Sequence, residues 1–111
     1  MSQYLILKLS DKENAVPFSD SEKLTERANG SWRFTPARLE DVKAVLLMFR
    51  GQILEEYELG DKIIYNRKTK RITFDLTPIK NSQLKGKLLN YPTANPASLL
   101  DDTKIQSLII K

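Results

Sequence analysis

Aromatic and basic side chains adjoin the single tryptophan of this chain, in the run SWRF at residues 31–34. An aromatic face that stacks on an unpaired base contributes about 1–3 kcal/mol, and arginine or lysine side chains neutralise the neighbouring phosphates. The chain offers further side chains of both kinds at Arg38, Arg50, Tyr57, Tyr65 and Tyr91. Trp32 is therefore a candidate stacking surface for a nucleic acid. Packing in the core of a small domain is the other interpretation of this tryptophan, and both stay open from sequence alone.

Basic residues concentrate in the second half of the chain. Residues 1–61 contain 8 Lys or Arg and 11 Asp or Glu, whereas residues 62–111 contain 10 and 3, within a net charge of +4. Between residues 62 and 87, Asp75 is the only acidic residue among eight basic ones. Such asymmetry indicates a polyanionic partner. A well-solvated basic face is the alternative.

Two asparagines and two prolines form the run NYPTANP at residues 90–96. This composition predicts a rigid loop with exposed amides. The carboxamide of Asn95 can then read a base edge through its paired donor and acceptor, and ordinary turn formation is the alternative. The candidate nucleic-acid contacts are Trp32, Arg33, Arg50, Tyr57, Asn95, Lys68, Lys70, Arg71, Lys85 and Lys87.

The residue inventory argues against most catalytic chemistry. The chain has no histidine and no cysteine, which excludes His-based acid–base catalysis, Cys nucleophiles, disulfides and structural zinc sites of the usual kind. Glu56 and Glu58 would share one face of a strand, where a carboxylate pair can bind Mg²⁺. No second acidic cluster has metal-ligand spacing. We therefore expect no cofactor, no metal and a binding protein rather than an enzyme, with a Mg²⁺-dependent nuclease as the weakest alternative.

The N-terminal third predicts a strand and a short helix that lead to the tryptophan. Residues 3–9 are rich in β-branched and aromatic side chains, as a strand requires. Ser19 and Glu22 have the spacing of a capping box. The helix over 20–29 is expected to end at Gly30, and its weak apolar stripe places it at the rim of the fold.

The residues after the tryptophan predict a first β-hairpin. Two apolar arms at 42–49 and 52–59 are joined by Arg50-Gly51, where glycine supplies the positive φ of a tight turn. The first arm is apolar on both faces, so we expect it to be central and covered on both sides. A single helix over 39–56 is the alternative, which the glycine and the β-branched residues disfavour.

A second hairpin is predicted from 61–65 and 70–76, which would extend the first into a four-stranded antiparallel meander with the basic cluster at its second turn. In the tail, 105–111 predicts a closing strand that pairs with the first strand and partly closes a barrel. The expected fold is therefore a single α+β domain over 1–111: a small antiparallel, partly closed β-barrel with one or two short peripheral helices. No run is long enough to cross a bilayer, the N-terminus does not resemble a signal peptide, and a cytoplasmic location is expected.

In this order, the elements resemble small bacterial and phage modules similar to the PUA-like superfamily, which includes the EVE, ASCH and YTH domains. The shared pattern has an Arg-Gly-x-Trp-Arg/Lys entry, a turn containing Gly and Ile before a Tyr, and a late Gly-Lys…Asn-Pro loop. The matching positions are Arg27, Gly30, Trp32, Arg33, Gly51, Ile53, Tyr57, Gly86, Lys87, Asn95 and Pro96.

This resemblance implies a strongly bent small barrel that binds RNA or DNA. Some relatives enclose a modified or flipped base in an aromatic-lined pocket, and such flipping costs a few kcal/mol. The present chain has one tryptophan and no obvious aromatic cage. The sequence thus predicts a nucleic-acid-binding module that contacts RNA or modified DNA through an aromatic and basic pocket. The alternative is a small phage or mobile-element protein that binds a host protein and regulates or inhibits it; the oligomeric state stays open.

Overall fold

The computed structural model describes residues 2–9, 21–30, 32–91 and 96–110. The strands in these ranges are β1 (Gln3–Leu9), β2 (Trp32–Arg33), β3 (Val42–Phe49), β4 (Gln52–Leu59), β5 (Ile64–Asn66), β6 (Arg71–Thr73), β7 (Leu76–Pro78) and β8 (Ala97–Asp101). The helices are α1 (Ser21–Asn29) and α2 (Ile105–Leu108), and 3-10 turns span Pro36–Leu39 and Asp102–Lys104. None of the described helices is long and apolar enough to cross a membrane.

The larger of two sheets has the strand order β7-β4-β3-β1-β8. Its β3 and β4 form the predicted first hairpin, which turns at Arg50 and Gly51 with φ values of 51° and 85°. Strand β1 lies parallel to β3 and antiparallel to β8. The arm that was expected to be central is indeed internal to the sheet, and its residues from Ala44 to Met48 are buried.

Two hydrophobic cores cover the opposite faces of this large sheet. Because side chains alternate along a strand, Leu5 and Leu7 of β1 enter the first core, whereas Tyr4 and Ile6 enter the second. Helix α1 and the small sheet pack on the first core. The segment 84–89 and α2 pack on the second. The surface groups of α1 and the small sheet are therefore on one side of the large sheet, and those of the segment 84–89 and α2 are on the other.

The small sheet has the order β2-β6-β5, with both pairs antiparallel. The chain leaves it after Thr73 and enters the large sheet at Leu76, where β7 pairs with the end of β4. Asn29, the last residue of α1, fixes this crossing: its carbonyl accepts the Phe74 N–H at 2.9 Å, and its side-chain oxygen accepts the Leu76 N–H at 3.0 Å. One residue therefore ties α1 to the point where the chain changes sheets.

The predicted four-stranded meander is wrong, because the two hairpins lie in different sheets. The second hairpin exists as β5 and β6, but its second arm ends at Thr73. The alternation of Ile72, Phe74 and Leu76 continues through the crossing, since all three side chains are buried in the same core. A period-two pattern shows which side chains are buried and does not show which sheet receives them.

The predicted closing strand over 105–111 is also wrong. Strand β8 pairs with β1 instead, and Ile105–Leu108 is a turn of helix. Asp101 causes the change of direction, because its carboxylate accepts the Thr103 N–H at 3.0 Å and the Thr103 hydroxyl at 2.9 Å. These bonds hold the pKa of Asp101 below its usual value. Among the described residues β7 and β8 remain outer strands, so the fold is α+β with an open large sheet and not a closed barrel.

The predicted helix before the tryptophan is confirmed as α1, and Gly30 follows it with a φ of 102°. Its inward residues Leu24 and Ala28 are buried in the first core. The predicted cap at Ser19 lies outside the described residues.

Candidate nucleic-acid interface

Two arginines are direct neighbours on adjacent strands of the small sheet. Strands β2 and β6 pair so that Trp32 is opposite Ile72 and Arg33 is opposite Arg71. The first pair is buried in the core and the second is exposed, as the alternation of side chains requires. Like charges directly opposite each other destabilise a sheet. The fold therefore maintains a concentrated positive charge on the outer face of β2 and β6.

A third arginine is held beside this pair by a buried aromatic ring. Thr35 and Pro36 start the 3-10 turn that follows β2, and this turn carries Arg38 back over Phe34. The Arg38 guanidinium carbon lies 4.9 Å from the centre of the Phe34 ring. Such a cation–π contact orients the planar guanidinium and leaves its N–H edge available for an anion.

The turn between β5 and β6 is rigid, although it lies at the surface. The Asn66 side-chain oxygen accepts the backbone N–H groups of Lys68 and Thr69 at 2.9 and 3.2 Å. The Asn66 carbonyl accepts the Lys70 N–H at 2.8 Å, and Lys70 takes a φ of 57°. Two lysines are thereby presented on a fixed backbone rather than on a flexible loop.

These groups line two adjoining depressions that share Arg33, Phe34 and Arg38. The first, of about 570 Å³, is also lined by Arg27, Trp32, Arg71, Pro96 and Ala97. The second, of about 330 Å³, is also lined by Thr35, Tyr65, Lys68, Thr69 and Lys70. Within the described part of the chain, neither lining contains a carboxylate. We define the basic surface as Arg27, Arg33, Arg38, Lys68, Lys70 and Arg71.

Trp32 lies beneath this surface as a core residue. Its side chain is 6% exposed, and its Nε1–H donates to the Ala28 carbonyl at 2.7 Å. Gly30 makes room for the ring, because a Cβ at that position would lie 2.4 Å from Trp32 Cδ1. The predicted stacking role does not fit this placement, since the indole faces are covered by the first core.

Tyr57 lies still deeper, with no exposed surface. Among the described residues, no group completes a hydrogen bond of ordinary geometry with its hydroxyl. Burial raises the pKa of Tyr57; the neighbouring Thr25 hydroxyl lowers this pKa, and the Glu55 carboxylate adds to the rise. A direct contact of Tyr57 with a nucleic acid does not fit this position either.

Tyr65 is the aromatic residue at the basic surface with an accessible ring. It is 38% exposed at the centre of β5 and lines the second depression with Lys68 and Lys70. Tyr65 and Arg38 are among the aromatic and basic residues that the sequence offers but not among the predicted contacts, and Arg27 is not a predicted contact either. The sequence signal that could have identified Tyr65 is its position directly before the basic turn Asn66-Arg67-Lys68-Thr69.

Among the described residues, the remaining predicted contacts Arg50, Lys85 and Lys87 do not line the two depressions. Lys87 lines a separate depression with Glu56, on the side of the second core. Lys85 is 3.1 Å from the buried Glu55 carboxylate. Arg50 lies over the Phe49 ring, at 5.0 Å, in the turn between β3 and β4. Asn95 lies outside the described residues.

Two acidic residues of β4, Glu55 and Glu56, are engaged in structural contacts. Glu55 is 5% exposed, and its Oε1 accepts the Glu56 N–H at 3.3 Å. Glu56 accepts a hydrogen bond from the Ser82 hydroxyl, which also receives the N–H groups of Leu84 and Lys85. In the described ranges, no three acidic residues are grouped so that they could hold a metal ion.

No family model, curated protein or solved structure matches this chain.

Proposed function

We propose that the basic surface binds a single-stranded nucleic acid, with the backbone phosphates along Arg33, Arg38 and Arg71 and a base on Tyr65. The observation that carries the proposal is the direct cross-strand pairing of Arg33 with Arg71. A polyanion supplies the negative charge that the described linings of both depressions lack. A bound phosphate places negative charge beside the two arginines.

Preorganisation supports phosphate recognition at this surface. The Arg38 guanidinium is fixed over Phe34, and the lysine turn is fixed by Asn66. Arginine forms two parallel hydrogen bonds with a phosphate, and a side chain that is already oriented loses less entropy on binding. Contacts with phosphates favour affinity over sequence specificity.

A single strand is favoured over a duplex by the position of Tyr65. Tyr65 lines the same depression as Lys68 and Lys70, so a base that stacks on it has its phosphates near two cations. Stacking of this kind requires an unpaired base. The similarity to PUA-like proteins and the enclosure of a modified base stay predictions. The proposal depends on neither of them. It assigns stacking to Tyr65 and not to Trp32, which is buried in the core.

The test is fluorescence anisotropy with labelled single-stranded RNA, single-stranded DNA and duplex DNA at several salt concentrations. Each neutralised phosphate of a single strand contributes about −0.7 to the slope of log K against log salt. We expect a slope of about −2 to −4 for single strands, since up to six cations take part. Failure to bind any strand at about 50 mM salt, where the phosphate contribution is large, would refute the proposal.

Matched variants separate the surface from net charge. Arg38→Ala and Lys87→Ala each remove one positive charge from an exposed side chain, but on opposite sides of the large sheet. We expect Arg38→Ala to weaken binding about tenfold, as the loss of one oriented charge-assisted contact implies. Lys87→Ala should change affinity less than twofold. Equal effects of the two variants would indicate non-specific attraction by net charge.

A further inference from the structure

Strand β5 is an outer strand of the small sheet. Among the described residues it pairs with β6 alone, and all three of its residues are exposed. Ile64 at its start is 68% exposed, the largest exposed fraction among the described large hydrophobic side chains. An outer strand with an apolar side chain is a template for pairing with another strand.

An apolar groove adjoins this strand, and Tyr65 lines both this groove and the second depression of the basic surface. Its volume is about 750 Å³, and Leu39, Val42, Leu59 and Ile63 line it together with Tyr65. The first four are partly buried against the first core. Ile63 and Tyr65 line the groove. Because side chains alternate along a strand, Ile64 projects from the face opposite Tyr65, which is the face of Arg71.

Acidic groups surround the groove near the start of β5, where Lys62 lies beside Asp61, and basic groups follow the strand. Before the strand, Asp61, Glu58 and Glu40 form an acidic rim around the groove. Lys43 also lines the groove, but it is 3.6 Å from Asp102 and stacks on the Tyr4 ring at 5.1 Å. After the strand, the basic turn begins at Arg67.

We propose that β5 pairs antiparallel with β5 of a second copy of this chain, about a two-fold axis at Ile64. The segment Asp61–Arg67, with the sequence DKIIYNR, is self-complementary about that residue. The axis places Ile64 against Ile64 of the partner subunit, and Ile63 against the partner's Tyr65 on the groove side. It also brings Asp61 towards the partner's Arg67 at both ends, where opposite charges attract.

Other registers are less favourable. Centring the pair on Tyr65 sets Lys62 against the partner's Lys68, and centring it on Ile63 sets Lys62 against the partner's Ile64. Only the axis at Ile64 matches both the apolar and the charged positions. A two-fold contact uses the same patch on both copies, as this register does, and it would join the two small sheets into a six-stranded sheet.

The test is sedimentation of the purified full chain from about 1 to about 300 µM, because an interface of this small size associates weakly. We expect a monomer–dimer equilibrium within this range. Ile64→Lys places two like charges at the axis, and it should leave the protein monomeric. Ile64 is exposed, so at the low end of this range, where the wild type is monomeric, the thermal unfolding of this variant should match the wild type. A wild type that is monomeric throughout, or a dimer that Ile64→Lys does not affect, would overturn the proposal.

A charge exchange tests the register. Asp61→Arg and Arg67→Asp should each weaken the dimer at least tenfold, because each places like charges together at both ends. The double variant restores opposite charges in the dimer and should recover most of the wild-type association. A double variant that dimerises no more tightly than the single variants would refute the axis at Ile64.

Hydrogen exchange of the β5 amides identifies other occupants of the edge. Amides that become protected only as the concentration rises support pairing with a second copy. Protection of these amides in a monomer would mean that a segment of the same chain covers the β5 edge. Fast exchange that persists in a monomer would mean that no copy of this chain covers the edge, which leaves a different protein as its possible partner. Both of these last results contradict the proposal. None of these measurements depends on nucleic-acid binding, so either proposal can fail alone.

Discussion

Arg33 and Arg71 are direct cross-strand partners in a two-residue ladder whose other pair, Trp32 and Ile72, belongs to the hydrophobic core. Burial of the apolar pair fixes the register of these strands, and this register places the two arginines together. The positive charge is thus set by the same contacts that stabilise the fold.

Arg33→Thr should raise stability and lower affinity at once. Removing one of two opposed like charges contributes about 0.2–1 kcal/mol, and threonine suits a strand. The free energy of unfolding in urea should therefore increase by about that amount, while binding to single-stranded RNA or DNA weakens. A variant that is less stable and binds nucleic acid as tightly as the wild type would contradict both the repulsion between Arg33 and Arg71 and the role of Arg33 in binding.

Trp32 should report on the core and not on the ligand. It is the only tryptophan, so its fluorescence can be assigned without mutation. Its burial at 6% exposure predicts blue-shifted emission and weak quenching by iodide. Saturation with nucleic acid should leave this emission nearly unchanged, whereas direct stacking would quench it strongly.

Tyr57→Phe should remove the part of the loss of folding stability at high pH that is due to the buried Tyr57 hydroxyl. Because burial raises the pKa of Tyr57, the folded protein keeps this proton while the unfolded chain releases it above about pH 10. The contribution of Tyr57 to stability is complete below that pH and is lost as the pH rises towards the folded pKa. In urea unfolding between pH 8 and about 11, the wild type should lose stability relative to Tyr57→Phe. A constant difference between the two proteins would contradict this.

Lys85 should matter for stability and little for binding. It is the charge partner of the buried Glu55 at 3.1 Å. Lys85→Met leaves that carboxylate uncompensated. The loss should be about 1–2 kcal/mol, less than for a fully buried pair, because Lys85 is itself largely exposed.

Glu55→Gln added to Lys85→Met supplies the control. The amide oxygen can still accept the Glu56 N–H, so the double variant should recover most of the lost free energy of unfolding. If Lys85→Met alone unfolds like the wild type but no longer binds nucleic acid, Lys85 belongs to the binding site and the assignment of its role is wrong.

Local signals in the sequence predicted individual elements well and their assembly poorly. Gly51 marked the first hairpin correctly, and the two-sided apolar arm from Val42 to Phe49 is internal to its sheet. The pairing of β1 with β3 and the division into two sheets depend on distant contacts such as those of Asn29, which leave no periodic pattern.

The candidate site shows the same limit. The charge asymmetry pointed to Lys68, Lys70 and Arg71, which lie together. It could not separate them from Lys87, because only the topology places the segment 84–89 on the other face of the large sheet. Trp32 was ambiguous for a related reason: an aromatic beside basic residues has the same sequence pattern whether its ring points outward or into the core.

The most direct measurement is a two-dimensional NMR titration of the isotopically labelled chain with a short single-stranded RNA or DNA. We expect chemical-shift changes centred on the non-proline amides of 33–38 and on those of 65–71, with little change at 84–89. Changes centred on 84–89, or spread evenly over all basic residues, would contradict the basic surface as the site of binding.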